Sequence, residues 1–370
     1  MIISDKQILN LYDSGEIVLE PLENYLNPAS VDLPIAGGEC YITNIVPPKI
    51  NQGFLDKYAS KRGYTEDSLI IEPSEKLFYI LPGPDIKLPE NLEGRLNPKS
   101  TSGRLGLQCD SLIETSEEES KVNRVPYSYD GKIFFLIQSK QFPVELKAGD
   151  TLTQIRFREK GTGFLNNDCL RSLYGIQIKV EHDDKIIPYK DIIKDDSTIL
   201  RIDTSKILAA KDNVEPIVFS EKNKAEISDY YDIYLNKESK DLIIEPEKLY
   251  LVSSLESTYC GNQVAWEMRI RTEEVGTTFQ THSAGFGDPG FNATVTGELW
   301  SYKNPLIFSN SDYLTRLDWE HVEEPPTKTY GKKSKSHYQN QDAPIPPKQF
   351  KDYNKLWKMV EDDKIEIKYI

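Results

Sequence analysis

The chain has few cysteines, and none of them form the closely spaced pairs that bind metals or carry redox chemistry. Its 370 residues contain only 4 cysteines, at positions 40, 109, 169 and 260. Small secreted domains that depend on disulfides are much richer in cysteine, and metal or redox motifs bring two cysteines within a few residues. The pattern predicts a reduced, cytoplasmic protein with free thiols.

Basic residues are also in deficit, with 45 Lys and Arg against 59 Asp and Glu and a formal net charge of −14. A protein that follows a nucleic-acid backbone needs a basic surface to neutralise phosphates, so we expect no nucleic-acid partner. A small anionic ligand would instead need a local positive pocket. Lys99 and Arg104 are placed to supply one.

Long apolar runs are absent. No stretch approaches the roughly 18 apolar residues that a membrane-spanning helix requires. The first residues, "MIISDKQILN", have no basic segment followed by an apolar one, which is the pattern of a signal peptide. We therefore expect no membrane partner and no signal peptide.

Familiar catalytic motifs are missing as well. "HVE" at His321–Glu323 has the shape of the His-x-Glu of zinc deaminases, but all four cysteines precede it, and that zinc site needs a downstream Pro-Cys-x-x-Cys. The sequence has no G-x-S-x-G elbow, P-loop or G-x-G-x-x-G, and His282 and His337 stand in no recognisable motif. We expect no zinc and no serine nucleophile.

The signals that are present indicate a mainly β protein. Ser4 is a plausible N-cap for a short helix that Gly15 ends. Short β-rich runs then follow, separated by Pro, Gly, Asn and Asp: "SVDLPI", "ECYIT", "SLIIEP", "KLFYIL", "KIFFLIQS" and "TLTQIRFRE". Such short strands, punctuated by turns, predict a sandwich or a small barrel.

An internal repeat divides the chain into two halves. "SLIIEPSEKLFYI" at Ser68–Ile80 returns as "DLIIEPEKLYLV" at Asp241–Val252, which indicates duplication of one β domain. We place the domains at residues 1–204 and 205–370. Beyond about Trp319 the sequence is polar and rich in Pro and Lys, which predicts either a disordered tail or a segment that closes over a ligand.

Two stretches carry candidate chemistry. "NPKSTSGRLGL" at Asn97–Leu107 combines hydroxyls, glycines and two cations, which suits either a phosphate-binding loop or a solvated turn. "GDPGFNATVTGELWSY" at Gly287–Tyr302 reads as a turn followed by a strand with period two. That period puts Glu298 on a face with threonines and a tryptophan, where it is either solvated or a desolvated general base.

Several stretches together resemble the dCTP deaminase branch of the dUTPase-like family. "SDKQILNLYDSGEIVLEP…NPASVDLPIAGG" resembles its N-terminal helix and first strand, and "PKSTSGRLGL" its phosphate motif. "SAGFGDPGFNATVTGELWSYKN" resembles the stretch that leads to the catalytic glutamate, here Glu298. "YGKKSKSHYQNQ" resembles the C-terminal segment that closes over the triphosphate. The resemblance implies two tandem, distorted, jelly-roll-like β-barrels with short helices.

The resemblance also implies roles for individual residues. Glu298 would be the general base, with Ser100, Arg104 and the backbone at Ala284 holding the water and the developing charge. The implied substrate-binding residues are Lys99, Ser100, Thr101, Arg104, Asp288, Phe291, Tyr330, His337 (in place of a usual lysine), Tyr338 and Gln341. Mg²⁺ would accompany the triphosphate, with no metal ligands from the protein.

The departures from the family pattern are complementary. In the first half, Leu136 stands where the glutamate belongs; in the second, Glu274 falls where the phosphate motif needs an arginine. We infer one composite site, with the phosphate cradle from the first barrel and the base pocket from the second, formed within one chain or between chains of a homo-oligomer. Phe286 replaces another family arginine, which leaves the tie between neighbouring barrels unexplained.

The implied function is hydrolytic deamination of dCTP to dUTP and ammonia, independent of zinc, on the route to dTTP precursors. Glu298 takes a proton from water, hydroxide attacks C4 of cytosine, and the proton passes to the ring nitrogen and then to the leaving amine. Two alternatives stay open at this stage. One is dUTP pyrophosphatase activity, alone or with deamination; the other is a nucleotide-binding regulator without catalysis.

Overall fold

The computed structural model of the chain describes most of it. The described residues are 1–22, 24–47, 50–63, 68–74, 76–115, 122–238, 241–270, 279–280, 285–331 and 336–370. The predicted roles of Ala284 and Glu274 fall outside these ranges, as does His282. Among the described residues, no helix combines the length and apolar character needed to cross a membrane.

The first half is a set of short strands with four helices. The helices are α1 (Asp5–Asp13), α2 (Gln52–Tyr58), α3 (Ser100–Arg104) and α4 (Asn167–Leu173). The strands are β1 (Val18–Leu19), β2 (Val31–Pro34), β3 (Glu39–Thr43), β4 (Ser60–Gly63), β5 (Leu69–Ile71), β6 (Phe78–Lys87), β7 (Leu92–Pro98), β8 (Leu107–Ile113), β9 (Arg124–Val125), β10 (Asp130–Ser139), β11 (Val144–Leu146) and β12 (Thr151–Glu159).

The second half has the same character. Its helices are α5 (Tyr189–Ile192), α6 (Ile227–Tyr230), a 3₁₀ turn (Tyr353–Lys355) and α7 (Leu356–Glu361). Its strands are β13 (Ile178–His182), β14 (Lys185–Ile186), β15 (Ile193–Lys194), β16 (Ser197–Ala210), β17 (Ile217–Val218), β18 (Tyr231–Leu235), β19 (Leu242–Ile244), β20 (Tyr250–Cys260), β21 (Val264–Arg269), β22 (Phe279–Gln280), β23 (Phe286–Gly287), β24 (Asn292–Ser301), β25 (Leu306–Phe308), β26 (Tyr313–His321) and β27 (Lys368–Tyr369).

These elements confirm the mainly β prediction and the short first helix. Helix α1 begins after Ser4, whose backbone N–H donates to Gln7 Oε1 at 2.9 Å, and the chain turns away at Gly15, where φ is +76°. Glycine suits that left-handed conformation because it has no Cβ to clash. All six β-rich runs contain strands: β2, β3, β5, β6, β10 and β12.

The duplication is visible in the strand pairing. In the first half β6 pairs with β10, β7 with β12 and β5 with β11, all antiparallel. In the second half the same order recurs as β20 with β24, β21 with β26 and β19 with β25. The two copies are linked further, because β17 of the second half adds a parallel strand to β11 of the first.

The position at which the copies divide stays a prediction. The predicted division after residue 204 falls inside β16, which runs unbroken from Ser197 to Ala210. That strand pairs with β18, β20 and β26 and so belongs to the second half throughout its length.

The tail packs into a core to which both copies contribute. Most of its buried apolar side chains belong to one cluster with strands of both halves: Tyr338, Ala343, Ile345, Phe350, Leu356, Trp357 and Val360. Each large apolar side chain that leaves water contributes about 1.5–3 kcal/mol to folding. The described part of the tail is therefore an integral layer of the fold.

A buried ion network joins the two copies. Arg156 on β12 is 1% exposed, and its Nε donates to Glu320 Oε2 on β26 at 2.9 Å. Its other nitrogens bond Glu267 on β21 and Asn97 on β7. Burial opposes ionisation of Glu267, but the guanidinium groups of Arg156, Arg269 and Arg158 together more than offset this, so the pKa of Glu267 lies below its usual value. The network fixes the orientation of one barrel against the other.

Replacing Arg156 with methionine should destabilise the whole chain. Glu267 and Glu320 would lose the guanidinium that they share, and Glu320 would keep only Arg158 as a partner. Breaking buried ion pairs of this kind costs up to about 3–5 kcal/mol. Urea unfolding at pH 7 measures the effect, with Arg62→Met on the exposed edge strand β4 as the matched control. Equal stability of the two variants would contradict the role assigned to the network.

Candidate active site

A cavity of about 580 Å³ lies between the two copies and is closed on one side by the tail. Every predicted site residue within the described part of the chain lines it. These residues are Lys99, Ser100, Thr101, Arg104, Asp288, Phe291, Glu298, Tyr330, His337, Tyr338 and Gln341. Segments far apart in sequence therefore meet around one cavity within a single chain.

The predicted phosphate loop is a one-turn helix, α3. Pro98 ends β7, and Lys99 follows in an extended conformation as the helix N-cap. The Lys99 ammonium is paired with Asp32 of β2 and also donates to Thr151 Oγ1 at 3.1 Å. Asp32, which the sequence did not single out, thus neutralises the first cation of the motif.

Glu298 lies directly against this helix. It is 3% exposed on β24, and a Cβ placed on Gly103 would fall 2.2 Å from its Oε2 and 2.5 Å from its Oε1. Only glycine allows the helix backbone to approach the carboxylate this closely. Gly103 of the first copy and Glu298 of the second therefore form the contact between the two half-sites.

The equivalent position in the first barrel is Leu136. Ser139 and Ser301 occupy matching places in the two copies. Ser139 forms a β-bridge with Pro73, and Ser301 forms one with Pro246; each proline follows a glutamate in the repeated sequence. Each serine also donates its hydroxyl to the backbone carbonyl three residues later. Leu136 and Glu298 each lie three residues before these serines.

The lost site has become part of the core. Leu136 is buried in an apolar cluster with Tyr41, Ile50, Leu55, Ile80, Leu112 and Phe134, to which helix α2 contributes Leu55. A leucine cannot exchange a proton, and apolar side chains pack against it, so the equivalent of Glu298 is missing here.

Asp288 is the second buried carboxyl group in the cavity. The backbone N–H of Ala29 donates to its Oδ1 at 3.2 Å, and Ser30 Oγ lies 3.5 Å away. Burial raises the pKa of Asp288 to about 7, and the nearby Asp32 carboxylate acts in the same direction. Near neutral pH its carboxyl group can therefore both donate and accept hydrogen bonds.

The tail is held to α3 by Arg104. Its guanidinium lies 3.9 Å from the centroid of the Tyr338 ring, donates to Ile345 O at 2.8 Å and donates to Gln341 Oε1 at 3.1 Å. Thr101 Oγ1 and Tyr338 Oη form a further hydrogen bond of 2.9 Å. Two residues predicted to bind the substrate thus bind the tail in this structure.

Three lysines that the sequence did not indicate also line the cavity: Lys222, Lys328 and Lys348. Lys222 and Lys348 lie close to each other. Lys222 follows β17, and Lys348 belongs to the tail; Asn223 N donates to Lys348 O at 3.1 Å and holds the two segments together. Burial lowers the pKa of Lys348 to about 8, and Lys99 and Lys222 add to this effect. Nothing in the local sequence marks these two lysines, because only the tertiary fold brings them to the α3 segment.

His337 does not add to this positive charge. Burial lowers its pKa to about 4, assisted by Lys348, Lys222 and Lys99, so the imidazole is neutral at pH 7. In the family pattern a lysine stands at this position. Here the positive charge close to His337 comes from Lys348, Lys222 and Lys99.

Aromatic groups form the apolar wall. The Phe291 ring packs 5.3 Å from Trp266 and 5.6 Å from Tyr330, centroid to centroid. Phe286, which replaces a family arginine, receives the Arg156 guanidinium 4.9 Å from its ring centroid. The cation that ties the barrels together at this point therefore comes from β12 of the first copy.

The chain thus belongs to a class of β proteins in which two similar barrels lie side by side with a cavity between them. The model of the family described as dCTP deaminase-like matches residues 2–160, and that of the C-terminal domain of 2′-deoxycytidine 5′-triphosphate deaminase matches residues 174–350. The chain belongs to the dCTP deaminase family.

Individual relatives agree with this assignment. The "dCTP deaminase, dUMP-forming" of Methanosphaera stadtmanae is 29% identical over 163 residues, which are 42% of this chain and 78% of the relative. The "dCTP deaminase" of Haloarcula marismortui is 26% identical over 174 residues, 44% of this chain and 82% of the relative. The crystal structure of 2′-deoxycytidine 5′-triphosphate deaminase from Agrobacterium tumefaciens shares the fold, with a TM-score of 0.75 at 23% identity, over 88% of this chain and 98% of that one.

The raised pKa of Asp288 predicts a pH-dependent stability. Its pKa is about 7 in the folded chain against an ordinary 3.8, so the folded state holds the proton more tightly. The stabilisation is complete below pH 4 and is lost as the pH rises through 7, a change of roughly 1–3 kcal/mol between pH 5 and pH 8. Asp288→Asn should lose this component, as measured by urea unfolding at both pH values. The exposed Asp13→Asn variant should keep it; identical pH profiles for the two variants would refute the assignment.

Proposed function

We propose that the cavity binds dCTP and that the chain catalyses its hydrolytic deamination to dUTP and ammonia. The observation that carries the proposal is the contact of Glu298 with Gly103, which unites a buried carboxylate with the phosphate-binding segment in one cavity. Membership of the dCTP deaminase family supports the same substrate.

Glu298 is the proposed general base. Its carboxylate takes a proton from a water molecule, and the resulting hydroxide attacks C4 of the cytosine. The carboxyl group then gives this proton to the ring nitrogen. In the next step it takes the second water proton from the C4 hydroxyl and passes it to the amine, so that the C4–N bond breaks, the C4 carbonyl forms and ammonia leaves. Burial of Glu298 keeps competing water away from the carboxylate, and acid–base catalysis of this kind contributes about 10²–10⁴-fold.

The triphosphate is proposed to lie between α3 and the lysines opposite. Ser100 of α3 lines the cavity, whereas the side chains of Thr101 and Arg104 bond the tail. Lys222 and Lys348 bring positive charge to the same cavity, where the carboxylates of Asp32 and Asp150 lie close enough to act on Lys348. Mg²⁺ would arrive with the triphosphate as part of the substrate.

A second activity is favoured by one finding. Several relatives, including those of Methanosphaera stadtmanae and Methanobrevibacter smithii, are named "dCTP deaminase, dUMP-forming". The bifunctional alternative is that this chain also cleaves the bound dUTP to dUMP and pyrophosphate in the same cavity. A cytoplasmic location and a homo-oligomeric state stay predictions.

Incubation with dCTP, following ammonia and pyrophosphate separately, tests both activities. We expect ammonia from the wild type and about 10²–10⁴-fold less from Glu298→Gln, with dCTP affinity retained because the shape of the side chain is kept. The exposed Glu215→Gln variant serves as the control. Pyrophosphate without ammonia would overturn the deaminase assignment, and unchanged turnover of Glu298→Gln would overturn the base.

Removing the charge of Lys222 or Lys348 should weaken the binding of a nucleoside triphosphate more than that of a monophosphate. Lys222→Met and Lys348→Met should each weaken dCTP binding about tenfold, or about 1.4 kcal/mol, and leave dCMP binding nearly unchanged. Calorimetric titration with both nucleotides measures this. Lys224→Met, an exposed lysine of the same loop that does not line the cavity, is the matched control. Equal losses for dCTP and dCMP would contradict the assignment.

A further inference from the structure

Gln341 of the tail lies where the two half-sites meet. It is 8% exposed, and its side-chain amide connects two different segments. On one side Oε1 accepts a hydrogen bond from Arg104 Nη2 at 3.1 Å. On the other side Nε2 donates to Thr294 O at 2.8 Å and to Thr296 Oγ1 at 3.1 Å, both on β24.

The orientation of this amide follows from its partners. Arg104 has only donors, so it must face the amide oxygen, and the Thr294 carbonyl only accepts, so it must face the amide nitrogen. Both hydrogens of Nε2 are then used. A phosphate offers only acceptors, and Gln341 has no side-chain donor left for one.

The bridge through Gln341 lies next to the contact between Gly103 and Glu298. Arg104 directly follows Gly103, whose backbone touches the Glu298 carboxylate, and Thr296 precedes Glu298 by two residues on the same face of β24. A Cβ on Gly103 would fall 2.2 Å from Glu298 Oε2, so the backbone of α3 and the carboxylate are in close contact. A bridge from the residue after Gly103 to the strand of Glu298 controls this spacing directly.

The tail backbone reinforces the bridge. Thr294 N donates to Gln341 O at 3.0 Å, and Asn340 N donates to Asn292 O at 2.9 Å, so the tail runs along the start of β24. At the other end, Tyr231 of β18 donates its hydroxyl to Arg104 O at 2.7 Å. Arg104 is therefore held by the tail and by the second barrel at once.

We propose that Gln341 is a positioning residue that couples α3 of the first copy to the base strand of the second, so that the tail completes the reacting geometry. This inference rests on the proposed deamination and replaces the phosphate-binding role that the family resemblance implies for Gln341. It predicts that loss of the bridge reduces the rate of the chemical step more than the affinity for the triphosphate.

Steady-state kinetics of the full chain with dCTP test the proposal. Gln341→Ala should lower kcat about 10–100-fold, because a misplacement on the order of 1 Å costs about 10²-fold, and should leave KM nearly unchanged. Inhibition by inorganic tripolyphosphate should also be unchanged. A rise in KM and in the tripolyphosphate inhibition constant, with kcat retained, would establish the phosphate-ligand role and overturn the proposal.

Two further variants control for general damage to the tail. Thr296→Val leaves Gln341 in place and removes one acceptor of the bridge on β24, so kcat should fall in the same direction. Gln339→Ala lies in the same tail, where its side chain bonds Gly290 O and Asn292 N rather than α3, and kcat should stay near the wild-type value. Equal losses of kcat in Gln341→Ala and Gln339→Ala, or no loss in Thr296→Val, would overturn the proposal.

The coupling can also be measured without turnover. If the wild type releases no ammonia from dCTP, the proposed function fails. The bridge can still be tested then, by thermal unfolding of Arg104→Ala, Gln341→Ala and the double variant. The proposal predicts that the shift in Tm of the double variant is smaller than the sum of the single shifts. Additive shifts would refute the bridge.

Discussion

A buried arginine between two barrels is the interaction on which the site depends. Arg156 of the first copy is enclosed by Glu267 and Glu320 of the second. Buried ion pairs often contribute little net stability, because desolvation offsets much of the Coulombic attraction, but they are costly to break and directional. This network fixes how the copies face each other, and the close contact between Gly103 and Glu298 requires a fixed orientation.

The two copies differ at the position of Glu298. In the first barrel the place of the glutamate is taken by Leu136, and side chains such as Leu55 and Phe134 fill its surroundings. Burying apolar groups there stabilises the first barrel by the hydrophobic effect, whereas a buried carboxylate would cost desolvation energy. The position that corresponds to Glu298 is therefore part of the core in the first barrel.

The charges around the cavity are distributed differently from those of the chain as a whole. The net charge is −14, yet Lys99, Lys222 and Lys348 come together around one cavity. Lys99 is already paired with Asp32, which leaves the other two lysines as the more available partners for an anion. The lowered pKa values of Lys348 and His337 have a shared cause, since both groups are partly buried close to other cations.

Local pattern was sufficient for the type of fold and for the two separate halves of the site. Period-two alternation predicted β24 and the face of Glu298, the repeat predicted duplication, and the resemblance of residues 97–107 to a phosphate motif identified α3. Each of these signals comes from residues close together in the chain, because the alternation of side chains along a strand and the residue preferences of turns are local properties. The same local reasoning treated α3 as a loop, because five residues are too few to show helical periodicity.

Tertiary structure alone decided how the halves combine. Lys222, Lys348 and Asp32 have no marked local pattern, and they reach the cavity only because β17, the tail and β2 pack around α3. The hydrogen-bonding capacity of Gln341 became assignable only once its neighbours on α3 and β24 were known. Contacts between residues more than a hundred positions apart depend on the packing of whole barrels, which no short stretch of sequence encodes. The sequence by itself thus determined the β-barrel type and its duplication and predicted the residues of two half-sites; packing decided that these residues line one cavity in one chain.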